Sequence, residues 1–353
     1  SLSSNRRPQR MRTKLTIMTS LAVSTTLAML MLAACGEEDK DGAGGPSTNT
    51  CWPSGPGCGL DGVGRACMAW HDNAGSSTLS FRMSQLEVIK PDVLAGQFLQ
   101  DNVVTKGVAL NLPQCFQEGS GRFSWLLEFD TANQRVKTGG AHVQLNPANG
   151  YCYINQVVEG FQTQPMEVPL KLSNEGGETL FELSETIKDI TVAIYLTDDE
   201  SSAIILPLHE VMMSEGRISS DGNCIGAWDG DHLYFDNDCK PDRNEGQKMQ
   251  WVNGARLTGY IELEESDDVW IPEMTQTLCV ALSGSALTYG EDFKEGGREG
   301  KRCARDDSGK IKAAEKADWC AASNTACSQP EADAFRLEGK FAASAVKVLA
   351  SCP

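Results

Sequence analysis

Along much of this chain apolar side chains recur at every second position, and that period constrains the fold more than any other feature. Phe123, Trp125, Leu127 and Phe129 share one face of an extended segment, with Ser124, Glu128 and Asp130 on the other. Ile190, Val192, Ile194 and Leu196 repeat the pattern, as do Leu79, Phe81 and Met83, and later Leu257, Gly259, Ile261 and Leu263. Successive side chains of a strand point to opposite faces, so each such run buries one face and wets the other. Met166, Val168, Leu170 and Leu172 alternate as well; Pro169 among them has no backbone donor and predicts an edge strand.

Turn chemistry falls between these runs, with Gly and Asn/Asp clusters at 138–140, 149–150 and 174–177. Ile204-Ile205-Leu206 resumes as a more deeply buried strand after the polar turn Asp198-Asp199-Glu200. Helical spacing occurs once with clarity, over Val93–Thr105, where Leu94 and Phe98, then Ala95, Leu99 and Val103, make a stripe. Lys310–Ala322 has helical composition behind Ser308, and Leu278, Val280 and Leu282 predict a short strand. Phe335–Leu349 reads as one or two closing strands, its Ala-rich part also compatible with a helix. The expected fold is mainly β, β-sandwich-like, with one or two helices. Its parts are a β-rich lobe at 68–218, an irregular acidic loop or join at 219–254, and a second β-rich part at 255–353 with a helix near 310–322. No fixed-period repeat occurs, which argues against propellers and solenoids.

Ahead of this body, Met11-Arg12-Thr13-Lys14 is basic, and an apolar run interrupted by Ser and Thr extends from Leu15 to Met31. This is the build of a secretory signal rather than a spanning helix. Residues 1–10 fit neither part of a signal, so Met11 is the expected start. The run ends in Leu32-Ala33-Ala34-Cys35, which resembles the lipobox of bacterial lipoproteins. The resemblance implies cleavage after residue 34, a diacylglyceryl thioether on Cys35, and acylation of the new amino terminus. Gly36 rather than Asp after the cysteine resembles lipoproteins passed to the outer membrane. Two or three acyl chains hold a protein on a bilayer at about 0.8 kcal/mol per buried CH₂. Gly36–Thr50 is then a polar tether of roughly 20 Å reach, and Cys51–Cys67 a Gly/Pro-rich, stapled lead-in.

Cys35 set aside, twelve of the thirteen cysteines remain. In a secreted chain an even number predicts disulfides, and the absence of CxxC spacing argues against zinc. Proximity in sequence favours Cys51–Cys58, Cys115–Cys152, Cys224–Cys239 and Cys303–Cys320. Beyond residue 34 the chain carries 26 basic and 48 acidic residues, a net charge of −22. Such a surface repels nucleic acid and favours cations.

No familiar catalytic frame is present. Gly-x-Ser-x-Gly, phosphate-loop and dinucleotide motifs are missing, and after His209-Glu210 the second zinc-ligand position holds Met213. His71, His142, His209 and His232 are scattered and predict surface or hydrogen-bonded roles. With 48 acids, no hydrolytic carboxylate pair can be chosen. Asp229, Asp231, Asp236, Asn237, Asp238 and Asp242 place six oxygen ligands in fourteen positions, the chemistry calcium takes, the favoured alternative being a solvated, stapled loop. Asp236-Asn237-Asp238-Cys239 with Pro241-Asp242 loosely resembles the calcium loops of thrombospondin type 3 repeats, departing from them at Lys240 and in having one copy. The acids Glu262, Glu264, Glu265, Asp267 and Asp268 predict a solvated turn. Trp228, Tyr234, Trp251 and Trp270 are candidates for stacking on sugars, the favoured alternative being that most are half-buried packing residues. The expectation is a non-enzymatic, lipid-anchored envelope protein. Its role is that of a binding module presenting 219–254 to a protein partner or glycan, with no cofactor expected and calcium the candidate if one is bound. The alternatives are an assembly lipoprotein partnering another envelope protein and, third, a carboxylate-based hydrolase.

Overall fold

The structure is a computed structural model, and it describes residues 51–53, 58–60, 65–96, 99–239, 250–286, 300–312, 317–321 and 332–352. The signal segment, Cys35, the tether and Asp242 lie outside the described residues. Eleven strands form one antiparallel sheet. They are β1 (Thr78–Lys90), β2 (Trp125–Asp130), β3 (Arg135–Gly140), β4 (Met166–Glu175), β5 (Glu178–Leu183), β6 (Ile187–Tyr195), β7 (Ala203–Ser214), β8 (Gly216–Ile218), β9 (Cys224–Ile225), β10 (Ala255–Glu262) and β11 (Ala334–Ala345). The protein is mainly β, and eight of these strands close into a barrel in the order β1-β2-β3-β4-β5-β8-β9-β11, with β11 returning to β1. The other three continue from β11 as an arm, β10-β7-β6. Strands from 68–218 and from 255–353 thus share one sheet.

β11 makes this branching work because its two edges are used differently. One edge pairs with β1 from Phe81↔Ala345 to Lys90↔Glu338. The other gives Ser344 and Ala343 to β9, then Phe341 through Ala334 to β10. Its Ala-rich stretch is strand, and alanines suit it: a Cβ on Gly226, next to β9, would already stand 3.1 Å from the Ala342 methyl. Inside the barrel the alternating faces meet. Phe129 packs edge-on against Phe81 at 5.7 Å and against Phe181 at 4.8 Å, a contact that crosses from β2 to β5. A Cβ on Gly216 would lie 2.1 Å from the Phe181 ring, so β8 passes only as glycine there.

Three sequence expectations need correction. Leu278–Ser283 is a helix, not a strand; every residue in it is buried, so periodicity carried no information, and Thr277 caps it by accepting from the Val280 N–H. The helix near 310–322 is absent from its described parts, where Ile311 bridges Arg305 and Trp319 bridges Ala334. Pro169 is no edge residue. It marks a hand-over: residues 166–169 pair with β3 and residues 170–175 with β5, and its carbonyl accepts from Ser184.

Five disulfides join described residues, Cys51–Cys239, Cys58–Cys115, Cys67–Cys224, Cys152–Cys352 and Cys279–Cys303. Cys320 is disulfide-bonded as well. The expected pairs Cys51–Cys58, Cys115–Cys152, Cys224–Cys239 and Cys303–Cys320 are therefore all overturned. Four of the five bridges close loops of 57 to 200 residues, because barrel closure sets distant segments side by side. A bridge closing about 150 residues stabilises by about 5 kcal/mol in the chain-entropy account. Such bonds persist in oxidising compartments, which makes this an extracytoplasmic protein.

Candidate functional site

Between the arm and a helical cover lies a cavity of about 50 Å³ with wholly apolar walls. The cover follows β1: an α-helical turn at Asp92–Ala95, then the wider π-type turns of Gln100–Thr105, running on into Lys106–Val108. It presents Leu94, Leu99, Val103 and Val104 to the cavity, much of the stripe legible in the sequence. Opposite stand Ile204, Leu206 and Leu208 of β7 with Leu257 and Leu337, and β1 closes one side with Leu86 and Val88. Gln100 fastens the cover to that side. Its Oε1 accepts from the Val88 N–H at 2.8 Å, and its Nε2 donates to the Leu86 carbonyl at 2.9 Å. β1 approaches β11 so closely that a Cβ on Gly339 would meet the Glu87 carbonyl at 2.9 Å. A cavity of this size holds about four water-sized groups, and apolar walls keep it dry. What it can accept is a short alkyl or small aryl group.

The 219–254 segment does something other than its composition promised. Trp228 and Trp251 pair across a two-residue ladder and pack edge to face at 5.2 Å, 4 % and 1 % exposed. Phe116 stacks on Trp228 at 6.2 Å, and the indole N–H donates to the Cys51 carbonyl. Trp270 is buried too. None of these three presents a ring to a sugar, which corrects the stacking candidates Trp228, Trp251 and Trp270 and agrees with the packing alternative; Tyr234 is exposed, and Phe235 beside it is 55 % exposed. Asp229 accepts from His232 Nδ1, and that contact raises the His232 pKa. Asp231, Asp236 and Asp238 face solvent. Among the described residues these acids bring no three ligand atoms within 4.8 Å of one another, and Asp242 and the Asn237 side chain lie outside them.

Two polar constructions escaped sequence reading. His209, on the β7 face away from the cavity, stacks on Tyr260 and donates from Nδ1 to Asp189 at 2.8 Å and from Nε2 to Glu265 at 2.6 Å. The Glu265 hydrogen bond, opposed by burial and helped by Asp189, lifts its pKa to about 9, so it is an imidazolium at neutral pH. Asp267, expected in a solvated turn, is fully buried; it accepts from Thr277 Oγ1, the Cys303 N–H, Arg302 and Arg305 at 2.8 to 3.1 Å. It is the one buried carboxylate among the described residues. Two arginines neutralise it, and each also holds a second acid, Arg305 to Glu264 and Arg302 to Asp268. Asp267, Cys279 and Cys303 converge, as do His142, Cys152 and Cys352, but in each group the two cysteines are bonded to each other and have no thiolate to give a metal. Compared with protein-family models, curated proteins and solved structures, the chain has no match.

Proposed function

We propose that this chain is an extracytoplasmic binding module, acylated at Cys35 and held at the outer membrane, that receives an apolar group under the 92–108 cover. The observation that carries the binding reading is the cavity itself: wholly apolar, and roofed by a short helical segment tied down at Gln100. Binding sites favour such concave apolar places, and the described residues offer no competing catalytic constellation. The lipobox-like Leu32-Ala33-Ala34-Cys35 supports the anchor.

Titration with benzene and short n-alkanols, followed by methyl NMR, tests the cavity. Saturable shifts at Leu86, Leu206 and Leu337 are expected, and Ile204→Phe, which fills the space, abolishes them. A wild-type protein without saturable shifts removes the reading. Mass spectrometry of the native amino-terminal peptide tests the anchor separately; a bare Cys35 removes the membrane part and leaves the cavity standing.

A second reading rests on the tip of the 230–239 turn. Tyr234 and Phe235 are exposed there, and the Cys51–Cys239 bridge fixes the turn beside the amino-terminal lead-in. This surface suits an envelope protein or glycan partner. Loss of a co-purifying partner in Phe235→Ala supports it, and unchanged recovery of the same partner defeats it.

A further inference from the structure

Arg82 of β1 is a cation in the wrong place. It is 3 % exposed in an acid-rich protein, yet it forms no salt bridge with any described carboxylate. Four of its five N–H groups donate to neutral oxygens: Nε to Ser124 Oγ, Nη1 to the Met83 carbonyl, and Nη2 to the carbonyls of Val108 and Phe123, at 2.8 to 3.1 Å. Its guanidinium carbon lies 5.5 Å from the centre of the Tyr151 ring. Carbonyl dipoles and a ring face soften a buried charge but do not neutralise it.

Beside Arg82 is a cavity of about 10 Å³, which is room for one small particle. Its polar lining is rich in donors. The Tyr151 hydroxyl is buried and has no hydrogen-bond partner. Gln117 accepts from the Leu110 N–H through Oε1, while its amide N–H₂ finds only the Met68 sulfur at 3.8 Å. Ser344 donates to the Cys67 carbonyl, so the Ser84–Ser344 contact at 2.5 Å uses the Ser84 proton. Ser84 has oxygen lone pairs left; Tyr151, Gln117 and Arg82 have protons left. A water must donate two hydrogens as well as accept, and the oxygens in this wall that can receive them are Ser84 Oγ, Tyr151 Oη and the second lone pair of Gln117 Oε1, none of which neutralises the guanidinium. A monatomic anion has no such requirement, takes donors from any direction, and neutralises the guanidinium.

We infer that the Arg82–Tyr151–Gln117 cavity is a buried site for one halide-sized monovalent anion, chloride in the protein's natural setting. The anion is a structural ligand: it binds the folded chain and not the unfolded one, so stability rises with its concentration. The test is thermal unfolding of the full chain at fixed ionic strength and pH, with sodium gluconate exchanged stepwise for sodium chloride. The midpoint is expected to climb with the logarithm of chloride once the site begins to fill, and Tyr151→Phe is expected to need at least tenfold more chloride for the same rise. Crystals grown in bromide and measured at the bromine edge give a second reading that depends on no variant, with an anomalous peak expected between Arg82 and Tyr151. A wild-type midpoint indifferent to the exchange, or a bromide map empty at that place, overturns the inference and leaves the cavity to water.

Discussion

Leu86 and Val88 line a wholly apolar cavity, while Arg82 and Ser84, a few residues earlier on the same strand, line a smaller one of mixed polar and apolar wall. In an unbroken strand all four would face the same way, since side chains alternate with a period of two. They do not because the pairing with β11 slips between Met83 and Gln85: Met83 faces Ala343 and Gln85 faces Ala342, leaving Ser84 as the extra residue of a bulge. Before the slip Phe81 and Met83 enter the main core and Arg82 points to the other face; after it Leu86 and Val88 take over the core side. One inserted residue lets β1 wall two chambers, one wholly apolar and one with polar groups in its wall. The two voids therefore answer to different perturbations, and variants can be chosen to separate them.

The largest effect is expected on the polar side. Arg82→Met removes four hydrogen bonds and strands the Val108 and Phe123 carbonyls, so denaturant unfolding should show a loss of about 3–5 kcal/mol. A smaller loss would mean that these carbonyls find other donors. On the apolar side Leu86→Ala should cost about 3 kcal/mol by the same measurement and widen the cavity enough to bind larger aryl probes. A drop in stability with no gain in probe size would show that the cover collapses into the space.

Outside the apolar wall His209 sets a pH dependence. Its pKa is raised in the fold from 6.5 to about 9, so its contribution is complete below about pH 6.5 and is lost as the pH rises through about 9. Allowing for the solvent around Asp189, roughly 1 kcal/mol should disappear over that window, and His209→Asn should flatten the profile. A wild-type profile flat from pH 6 to 9.5 would contradict the clamp. Smallest of all, Asp189→Asn should change stability by under about 0.5 kcal/mol, because that carboxylate is 79 % exposed and Glu265 is the stronger partner. Titration of His209 by NMR would check the ranking: its pKa should fall less in Asp189→Asn than in Glu265→Gln.

Part of this was legible beforehand. Phe81 and Met83 are odd-numbered and Leu86 and Val88 even-numbered, so the change of phase that marks the bulge is written in the sequence. The cover's stripe of Leu94, Leu99 and Val103 was legible as well. Arg82 gave no warning, since the carbonyls that accept from it belong to residues 108 and 123. Asp267 read as a solvated acid because its arginines arrive from 302 and 305. The tryptophans read as packing residues or as stacking surfaces, and an irregular segment shows no period from which to choose; the structure buries them.

From the chain alone came the strand period, the apolar faces, the helical cover, and a cysteine complement suited to an oxidising compartment. Each is a local property, decided by the neighbouring two to four residues. Only the tertiary structure decided that eight strands close on themselves, which cysteines meet, which tryptophans are covered, and where a lone guanidinium is held. Those outcomes depend on segments up to 200 residues apart coming into register, and register is the joint result of many weak contacts that no short window of sequence contains.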